Sequence, residues 1–248
     1  METAREAGQI LLDKFGRKIN VLKKGNTNLV TAADLASEKF IIEKIRTFYP
    51  KHAILAEESG AAIANSESVW KWIIDPLDGT TNYAHGYPCF CVTIALEHAE
   101  QIVVAATFDP TREEMFAAER GQGASLNGRK IRVSETERLQ EALLVTGYPY
   151  DATRRENFTR HFSKFIAKAR GLRRDGSAAI DMAYVACGRF DGFWEEGLNA
   201  WDVAAGLLLI EEAGGRVSYY DDSPFSVYRP PICASNGLIH AEMLEVLG

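Results

Sequence analysis

Two carboxylates lie close together at the end of an apolar run. Asp75 and Asp78 follow the segment 69–74, and a Gly-Thr-Thr segment, residues 79–81, comes directly after them. Carboxylates this close repel one another unless a cation lies between them. Mg²⁺ prefers such oxygen ligands and often shares its coordination sphere with phosphate groups, and the 79–81 segment can present backbone N–H groups to an anion. The pattern is typical of metal-assisted chemistry on a phosphate.

Two further carboxylates lie at the ends of apolar runs. Glu57 ends a short apolar segment, and Asp202 precedes the apolar segment 203–213. Each site alone has a structural alternative, because Asp-Pro and Asp-Gly pairs are common in turns and Asp is a favoured helix N-cap. Charged groups at three apolar segment ends need a common reason, since burying an unpaired charge is costly. The set therefore favours a metal site that includes all four carboxylates.

The first half of the chain must place three of these carboxylates. Helical spacing predicts helices over 2–15 and 31–49, with a polar loop at 23–28 between them. Short apolar runs predict the strands that end at Glu57 and Asp75. Strand-like segments within 89–133, with a turn at Asn127-Gly128, predict an antiparallel meander.

Beyond about residue 140 the pattern changes to alternating strands and helices. The predicted helices are 153–169, 177–187, 202–213 and 237–247, and the predicted strands are 142–145, 191–194, 215–219 and 231–234. The change predicts two halves, an α+β N-terminal half over residues 1–140 and an α/β C-terminal half over residues 141–248.

Composition limits the partners of the protein. The 248 residues carry a formal net charge of −6, which argues against a broad nucleic-acid or anionic-membrane surface. No apolar run approaches the ~18 residues of a membrane span. Four cysteines without a C-x-x-C pair predict reduced thiols rather than a zinc site. We expect a cytoplasmic protein that binds neither a membrane nor nucleic acid directly.

The carboxylate segments, in this order and at these spacings, resemble the inositol monophosphatase family. The matching segments are 54–60, 72–82 and 201–206, and the resemblance extends from residues 4–8 through the final helix. These are Mg²⁺-dependent, lithium-sensitive phosphomonoesterases in a clan that includes fructose-1,6-bisphosphatases. The resemblance implies a layered αβαβα sandwich with the metal site between its halves, and a homodimer.

The resemblance also assigns the metal and catalytic residues. The implied metal ligands are Glu57, Asp75, the backbone carbonyl of Leu77, Asp78 and Asp202. It implies two or three Mg²⁺ ions, with Mn²⁺ as a substitute and Ca²⁺ and Li⁺ as inhibitors. The implied catalytic set is Asp34, Glu57, Asp78 and Thr80, in which Asp34 and Thr80 position and deprotonate the attacking water. From the sequence alone, Asp34 is only an acidic residue in the first turn of a helix.

The implied substrate contacts come from both halves. They are Gly79, Thr80 and Thr81 for the phosphate, and Gly176, Ser177, Ala178, Glu195 and Asp202 for the alcohol portion. Ser177 is also predicted to cap the helix that follows it. Asp175 adds an acid to this loop, and we hypothesise that it weakens the binding of doubly phosphorylated substrates. Lys23 lies in a loop that closes over the site in relatives, with a solvated surface lysine as the alternative.

The resemblance implies hydrolysis of inositol-1-phosphate by a metal-activated water. The nearest alternatives keep the chemistry and change the substrate to fructose-1,6-bisphosphate (alone or in addition to inositol phosphate), 3′-phosphoadenosine-5′-phosphate, histidinol phosphate or NADP. An alternative of a different class is a partner protein of the transcription machinery with residual phosphatase activity. The presence of every expected carboxylate weighs against a degenerate scaffold.

Overall fold

A computed structural model of the chain contains both helices and strands, and it describes residues 1–16, 21–24, 28–60, 68–148, 155–229 and 231–248. The helices are α1 Glu2–Lys14, α2 Ala32–Phe48, α3 Thr80–Ala84, α4 Arg155–Lys168, α5 Ala178–Ala186, α6 Ala200–Glu212 and α7 His240–Leu247. The strands are β1 Val21–Lys24, β2 Asn28–Thr31, β3 Ala53–Ala56, β4 Trp70–Asp78, β5 Cys91–His98, β6 Gln101–Asp109, β7 Glu114–Glu119, β8 Gly123–Leu126, β9 Arg129–Lys130, β10 Leu143–Thr146, β11 Gly171–Arg173, β12 Gly192–Glu195, β13 Arg216–Ser218 and β14 Ile232–Ser235.

Two large sheets organise the described strands. One is seven-stranded with the order β3-β4-β5-β6-β7-β8-β9, and the other is five-stranded with the order β11-β10-β12-β14-β13. The seven-stranded sheet is antiparallel except where β3 pairs with β4. In the five-stranded sheet, β10 pairs in parallel with β11 and β12. A small antiparallel pair, β1 and β2, precedes α2.

The sheets and helices stack in five layers. Helices α1 and α2 pack on one face of the seven-stranded sheet, and α5 and α6 lie between the two sheets. Helices α4 and α7 cover the outer face of the five-stranded sheet. Strand β5, which has helices on both sides, is buried along nearly its whole length, as expected for a strand with two covered faces. The predicted αβαβα sandwich is confirmed.

A glycine brings the two central helices together. A Cβ at Gly206 of α6 would lie 2.6 Å from the Cβ of Met182 on α5, so only glycine permits this close approach. The contact places the first turns of both helices near the end of β4, where Asp78 lies.

Most predicted elements are present, with two corrections. In the segment predicted as a polar loop, 23–28, Lys23, Lys24 and Asn28 instead belong to the β1–β2 pair, because backbone pairing there overrides the polar composition. Residues 25–27 lie outside the described part of the chain. Lys23 lies on β1, and its side chain is outside the described part of the chain. The three-residue strand β11 has no sequence prediction, since so short a strand has no readable alternation. The boundary near residue 140 stays a prediction, because α5 and α6 belong to a core shared by both sheets.

Two predictions about composition are also addressed by the structure. All four cysteines are free thiols, and three of them are buried. None of the described helices is long and apolar enough to span a membrane.

Candidate active site

A β-bulge in β4 places Asp75 and Asp78 together. Residues three apart in a regular strand face opposite sides of a sheet. Here the register with β5 shifts, since Asp75 pairs with Thr93 and Asp78 pairs with Cys91. The extra residue lies around Pro76, which has no N–H to donate to the sheet. The bulge allows both carboxylates to reach the same cluster.

Asp78 is oriented by the start of α5. The Ser177 hydroxyl donates to Asp78 Oδ2 at 2.5 Å, and the Ala179 N–H donates to the same oxygen at 2.8 Å. Ser177 occupies the N-cap position but makes no side-chain capping bond, so the prediction that it caps α5 is wrong. The N–H of Ala179, the second residue of α5, donates instead to the Asp78 carboxylate, which is a stronger acceptor than a neutral hydroxyl.

Asn199 is the N-cap residue of α6 and Asp202 is the third residue of the helix, so the N-cap alternative for Asp202 is wrong. Its Oδ2 accepts the Asn199 N–H at 2.6 Å, which stabilises the first turn of α6. Its carboxyl group also hydrogen-bonds with Asp75. Glu57, directly after β3, hydrogen-bonds with Asp75 as well. Three separate elements therefore converge on the Asp75 carboxyl group.

The resulting cluster is short of positive charge. One carboxylate oxygen from each of Asp75, Asp78 and Asp202 lies within 4.8 Å of the others. Burial, followed by repulsion from Asp202, raises the pKa of Glu57 to about 8. Burial, followed by repulsion from Asp78, raises the pKa of Asp202 to about 7. Hydrogen bonds between carboxyl groups require shared protons or a cation, so the donor set fits a hard divalent ion.

Thr80 and Asp34 meet beside this cluster. The Thr80 hydroxyl lies 3.0 Å from the Leu77 carbonyl oxygen and 3.3 Å from Asp34 Oδ1, and can donate its proton to either. Asp34 Oδ2 accepts the Thr31 N–H at 2.9 Å, which fixes the carboxylate at the start of α2. Burial raises the pKa of Asp34 to about 6 even though the Thr31 hydrogen bonds lower it. The predicted Asp34–Thr80 pair is therefore in contact.

The 79–81 segment forms the turn between β4 and α3. Gly79 has φ of +94°, and a Cβ there would lie 2.8 Å from the Cys89 carbonyl oxygen. Both constraints require glycine. The chain then enters α3, so the N–H groups of Thr80 and Thr81 belong to a first helical turn, where amides have no intrahelical acceptor.

Asn82 joins this turn to the loop before α5. Its side-chain NH₂ donates to the carbonyls of Cys89 and Asp175, each at 2.8 Å. Asp175 adjoins Gly176, whose Cβ would lie 3.0 Å from the Asn82 side chain. This role of Asn82 is not among those predicted from the sequence. Its amide, next to the Gly-Thr-Thr segment, was the available signal.

Glu195 lies at the end of β12 on the same side of the molecule. Its side chain is buried, and a Cβ on Gly147 would lie 2.1 Å from Glu195 Oε1. Burial raises the pKa of Glu195 to about 8, although the nearby Arg174 guanidinium lowers it. Asp202 and Asp78 interact electrostatically with Glu195. The structure thus gathers the predicted residues of both halves around one site.

Comparison with known proteins identifies the family to which this chain belongs. The sequence model described as the inositol monophosphatase family matches residues 1–247. The chain belongs to the inositol monophosphatase family. It is therefore a hydrolase of phosphoric monoesters, from a family of metal-dependent phosphatases.

Individual relatives cover nearly the whole chain. An inositol-1-monophosphatase of Synechocystis is 45% identical over 99% of this chain and 86% of its own length. The protein named Nus factor SuhB in Pseudomonas aeruginosa is 43% identical over 95% of this chain and 89% of its own. The crystal structure of extragenic suppressor protein suhB from Bartonella henselae superposes with a TM-score of 0.95 at 39% identity, covering 99% of this chain and 95% of that one.

Proposed function

We propose that this family member hydrolyses a phosphate monoester of a polyol, with inositol-1-phosphate as the preferred substrate. The observation that carries the proposal is the convergence of Asp75, Asp78 and Asp202, with oxygens within 4.8 Å of one another, beside the glycine turn at Gly79. A relative named inositol-1-monophosphatase at 45% identity supports the choice of substrate.

The carboxylate cluster would hold the divalent ions. The ligands in this proposal are Glu57, Asp75, Asp78, Asp202 and the Leu77 carbonyl. Hard oxygen donors suit Mg²⁺. From the membership of the family, we further propose two or three ions, with Mn²⁺ as a substitute and Ca²⁺ and Li⁺ as inhibitors. Bound there, such ions offset the phosphate charge and make a water molecule more acidic.

The Asp34–Thr80 pair would hold the attacking water. In the proposal, the water donates a hydrogen bond to the Thr80 hydroxyl, which turns its own proton from the Leu77 carbonyl toward Asp34 Oδ1, 3.3 Å away. Asp34 would take the proton of the Thr80 hydroxyl while Thr80 takes one from the water, so that Thr80 stays neutral and a hydroxide is left to attack the phosphorus. The raised pKa of Asp34, about 6, makes it a better base at neutral pH than an exposed aspartate.

The remaining residues would bind the two ends of the substrate. The backbone N–H groups of 79–81, with the Thr80 and Thr81 hydroxyls, hold the phosphate. The backbone groups of Gly176, Ser177 and Ala178 would contact the alcohol portion of the substrate. The Glu195 carboxylate would accept hydrogen bonds from the hydroxyl groups of that portion. Since phosphoryl transfer depends mainly on positioning and charge stabilisation, this division of work is sufficient for catalysis.

A substrate panel tests the proposal. Phosphate release is measured at fixed Mg²⁺ from inositol-1-phosphate, fructose-1,6-bisphosphate, 3′-phosphoadenosine-5′-phosphate, histidinol phosphate and NADP. We expect the highest kcat/KM for inositol-1-phosphate and no release after EDTA treatment. A higher kcat/KM for another compound in the panel would reject inositol-1-phosphate as the preferred substrate. Turnover that persists after EDTA treatment would reject the dependence on a metal ion.

A second function is favoured by the relative named Nus factor SuhB at 43% identity. In this alternative the chain binds the transcription machinery as a protein partner. The test is co-purification with RNA polymerase using the wild type and D202N. Partner binding that D202N retains would separate this role from catalysis, and its absence in both would reject it. The homodimer stays a prediction that analytical ultracentrifugation tests.

A further inference from the structure

Arg174 lies at the alcohol side of the site, in a position fixed by two contacts. Its guanidinium carbon lies 4.1 Å from the ring centroid of Tyr148. Its Nη1 would be 2.7 Å from a Cβ on Gly176. The guanidinium is therefore supported by an aromatic ring and rests against the backbone of the loop that leads into α5.

Glu195 lies against Gly147, the residue before Tyr148 in the chain. Its carboxylate lies over Gly147, where a Cβ would approach both oxygens to within 2.2 Å. Gly147 and Tyr148 are consecutive residues after β10. One acceptor head group and one donor head group therefore lie over neighbouring positions at the same strand end.

The charges around Arg174 agree with this placement. Burial raises the pKa of Glu195, Asp175 and Asp181, and the Arg174 guanidinium acts against this rise in each. For Asp175, Arg173 and Arg112 lower the pKa more than Arg174 does. Asp181 is 1% exposed, and its Oδ1 has no hydrogen-bond partner among the described residues. Three carboxyl groups thus interact electrostatically with one guanidinium, in the loop that Asn82 joins to the phosphate turn.

The geometry points to Arg174 as a substrate-binding residue that, together with Glu195, binds neighbouring hydroxyl groups of the polyol. This inference rests on the proposed function. A polyol hydroxyl both donates and accepts hydrogen bonds. The guanidinium supplies several N–H donors in one plane, and the Glu195 carboxylate supplies acceptors. A ring that stacks on the guanidinium face leaves those in-plane donors directed outward.

The prediction is a change in substrate preference. The measured quantity is the ratio of kcat/KM for inositol-1-phosphate to kcat/KM for phenyl phosphate, which has no hydroxyl groups. We expect R174M to lower this ratio about 10- to 100-fold, mainly through KM for inositol-1-phosphate, because a hydrogen bond to a charged group is lost. R174K retains a donor and recovers part of the ratio.

Arg173 provides a matched control. It is the neighbouring residue, it is exposed, and its Nη1 donates to the Leu172 carbonyl at 3.0 Å. Both arginines act electrostatically on Asp175, so the control separates that shared effect from a contact with the polyol. R173M removes the same kind of side chain and keeps the wild-type ratio. Circular dichroism of all variants checks that they are folded.

Several results would overturn the inference. An unchanged ratio in R174M, or an equal fall for both substrates, would remove Arg174 from polyol recognition. A loss confined to fructose-1,6-bisphosphate would assign Arg174 to a second phosphate instead. If the wild type cleaves phenyl phosphate but no polyol phosphate, the proposed function itself fails. If it cleaves both and R174M leaves the ratio intact, only the role of Arg174 fails.

Discussion

The Asn82 side-chain amide donates to the Asp175 carbonyl at 2.8 Å, across 93 residues of sequence. The same NH₂ group donates to the Cys89 carbonyl, also at 2.8 Å. Asn82 therefore fixes the distance between the turn that would hold the phosphate and the loop that would hold the alcohol. It acts as a positioning residue because neither contact involves a reacting group.

Substitutions of Asn82 test this connection. In N82A two partly buried carbonyls lose their donor, and we expect a loss of about 1–2 kcal/mol in the free energy of unfolding. N82D presents a carboxylate to the same two carbonyls, so it should be the more harmful change. Urea unfolding and kcat/KM for inositol-1-phosphate measure both effects. Wild-type kinetics in N82D would show that the link does not position the substrate.

Asp202 tests the metal cluster. D202N keeps an oxygen that can accept the Asn199 N–H, so α6 retains its cap. We expect turnover to fall about 100-fold or more, and the rise in melting temperature on adding Mg²⁺ to shrink, since that rise depends on binding to the folded state. Without metal, D202N should be at least as stable as the wild type because carboxylate repulsion is relieved. Full activity together with a wild-type Mg²⁺ response would exclude Asp202 from the cluster.

Gly147 tests the seat of Glu195. In G147A the new Cβ would lie 2.1 Å from Glu195 Oε1, so the carboxylate must move. We expect kcat/KM for inositol-1-phosphate to fall about tenfold or more, since misplacement of a binding group is costly. The control is G171A in the same sheet, where the nearest atom is a flexible Leu143 methyl at 3.3 Å. Equal kinetics in the two variants would contradict the assignment.

His240 gives stability a pH dependence away from the active site. It is buried, with its ring nitrogens 2.9 Å from the Ser218 hydroxyl and 2.8 Å from the Ser235 hydroxyl. Burial, followed by the Arg216 charge, lowers its pKa to about 4. An unfolded histidine has a pKa of about 6.5. Between these values the unfolded chain binds the proton and the folded chain does not.

The consequence is a loss of stability as the pH falls from about 6.5 toward 4. At pH 4.5 the histidine contributes a loss of about 2–3 kcal/mol relative to pH 7.5. Urea unfolding of the wild type and H240Q at both pH values isolates this contribution, because the other titrating groups are shared. Parallel pH profiles for the two proteins would show that His240 is protonated equally in both states.

The sequence predicts the carboxylates well because each lies at the end of an apolar segment. Glu57, Asp75 and Asp202 follow or precede apolar runs that are expected to be buried. A buried charge is costly without a compensating partner, so carboxylates at these positions indicate a binding site for a cation. Periodicity in the sequence predicts most of the individual helices and strands, whereas the layered αβαβα arrangement was implied by the resemblance to the family.

Hydrogen-bond partners distant in sequence are not predictable in the same way. The acceptors of Asn82 are backbone carbonyls, which every residue possesses, so no residue type marks them. The residue type and position of Ser177 predict a local N-cap hydrogen bond. In the structure its hydroxyl instead donates to Asp78, 99 residues earlier in the chain. The β1–β2 pair likewise depends on backbone bonds that a polar sequence does not reveal.

Metal-dependent hydrolysis at the carboxylate cluster is tested most directly by a Mg²⁺ titration of EDTA-treated protein, with phosphate release from inositol-1-phosphate as the readout. We expect no phosphate release without added metal and a saturable return of activity as Mg²⁺ is added. Activity that persists at full rate without metal would contradict this expectation, because the buried carboxylates would then have no cation to neutralise them during turnover.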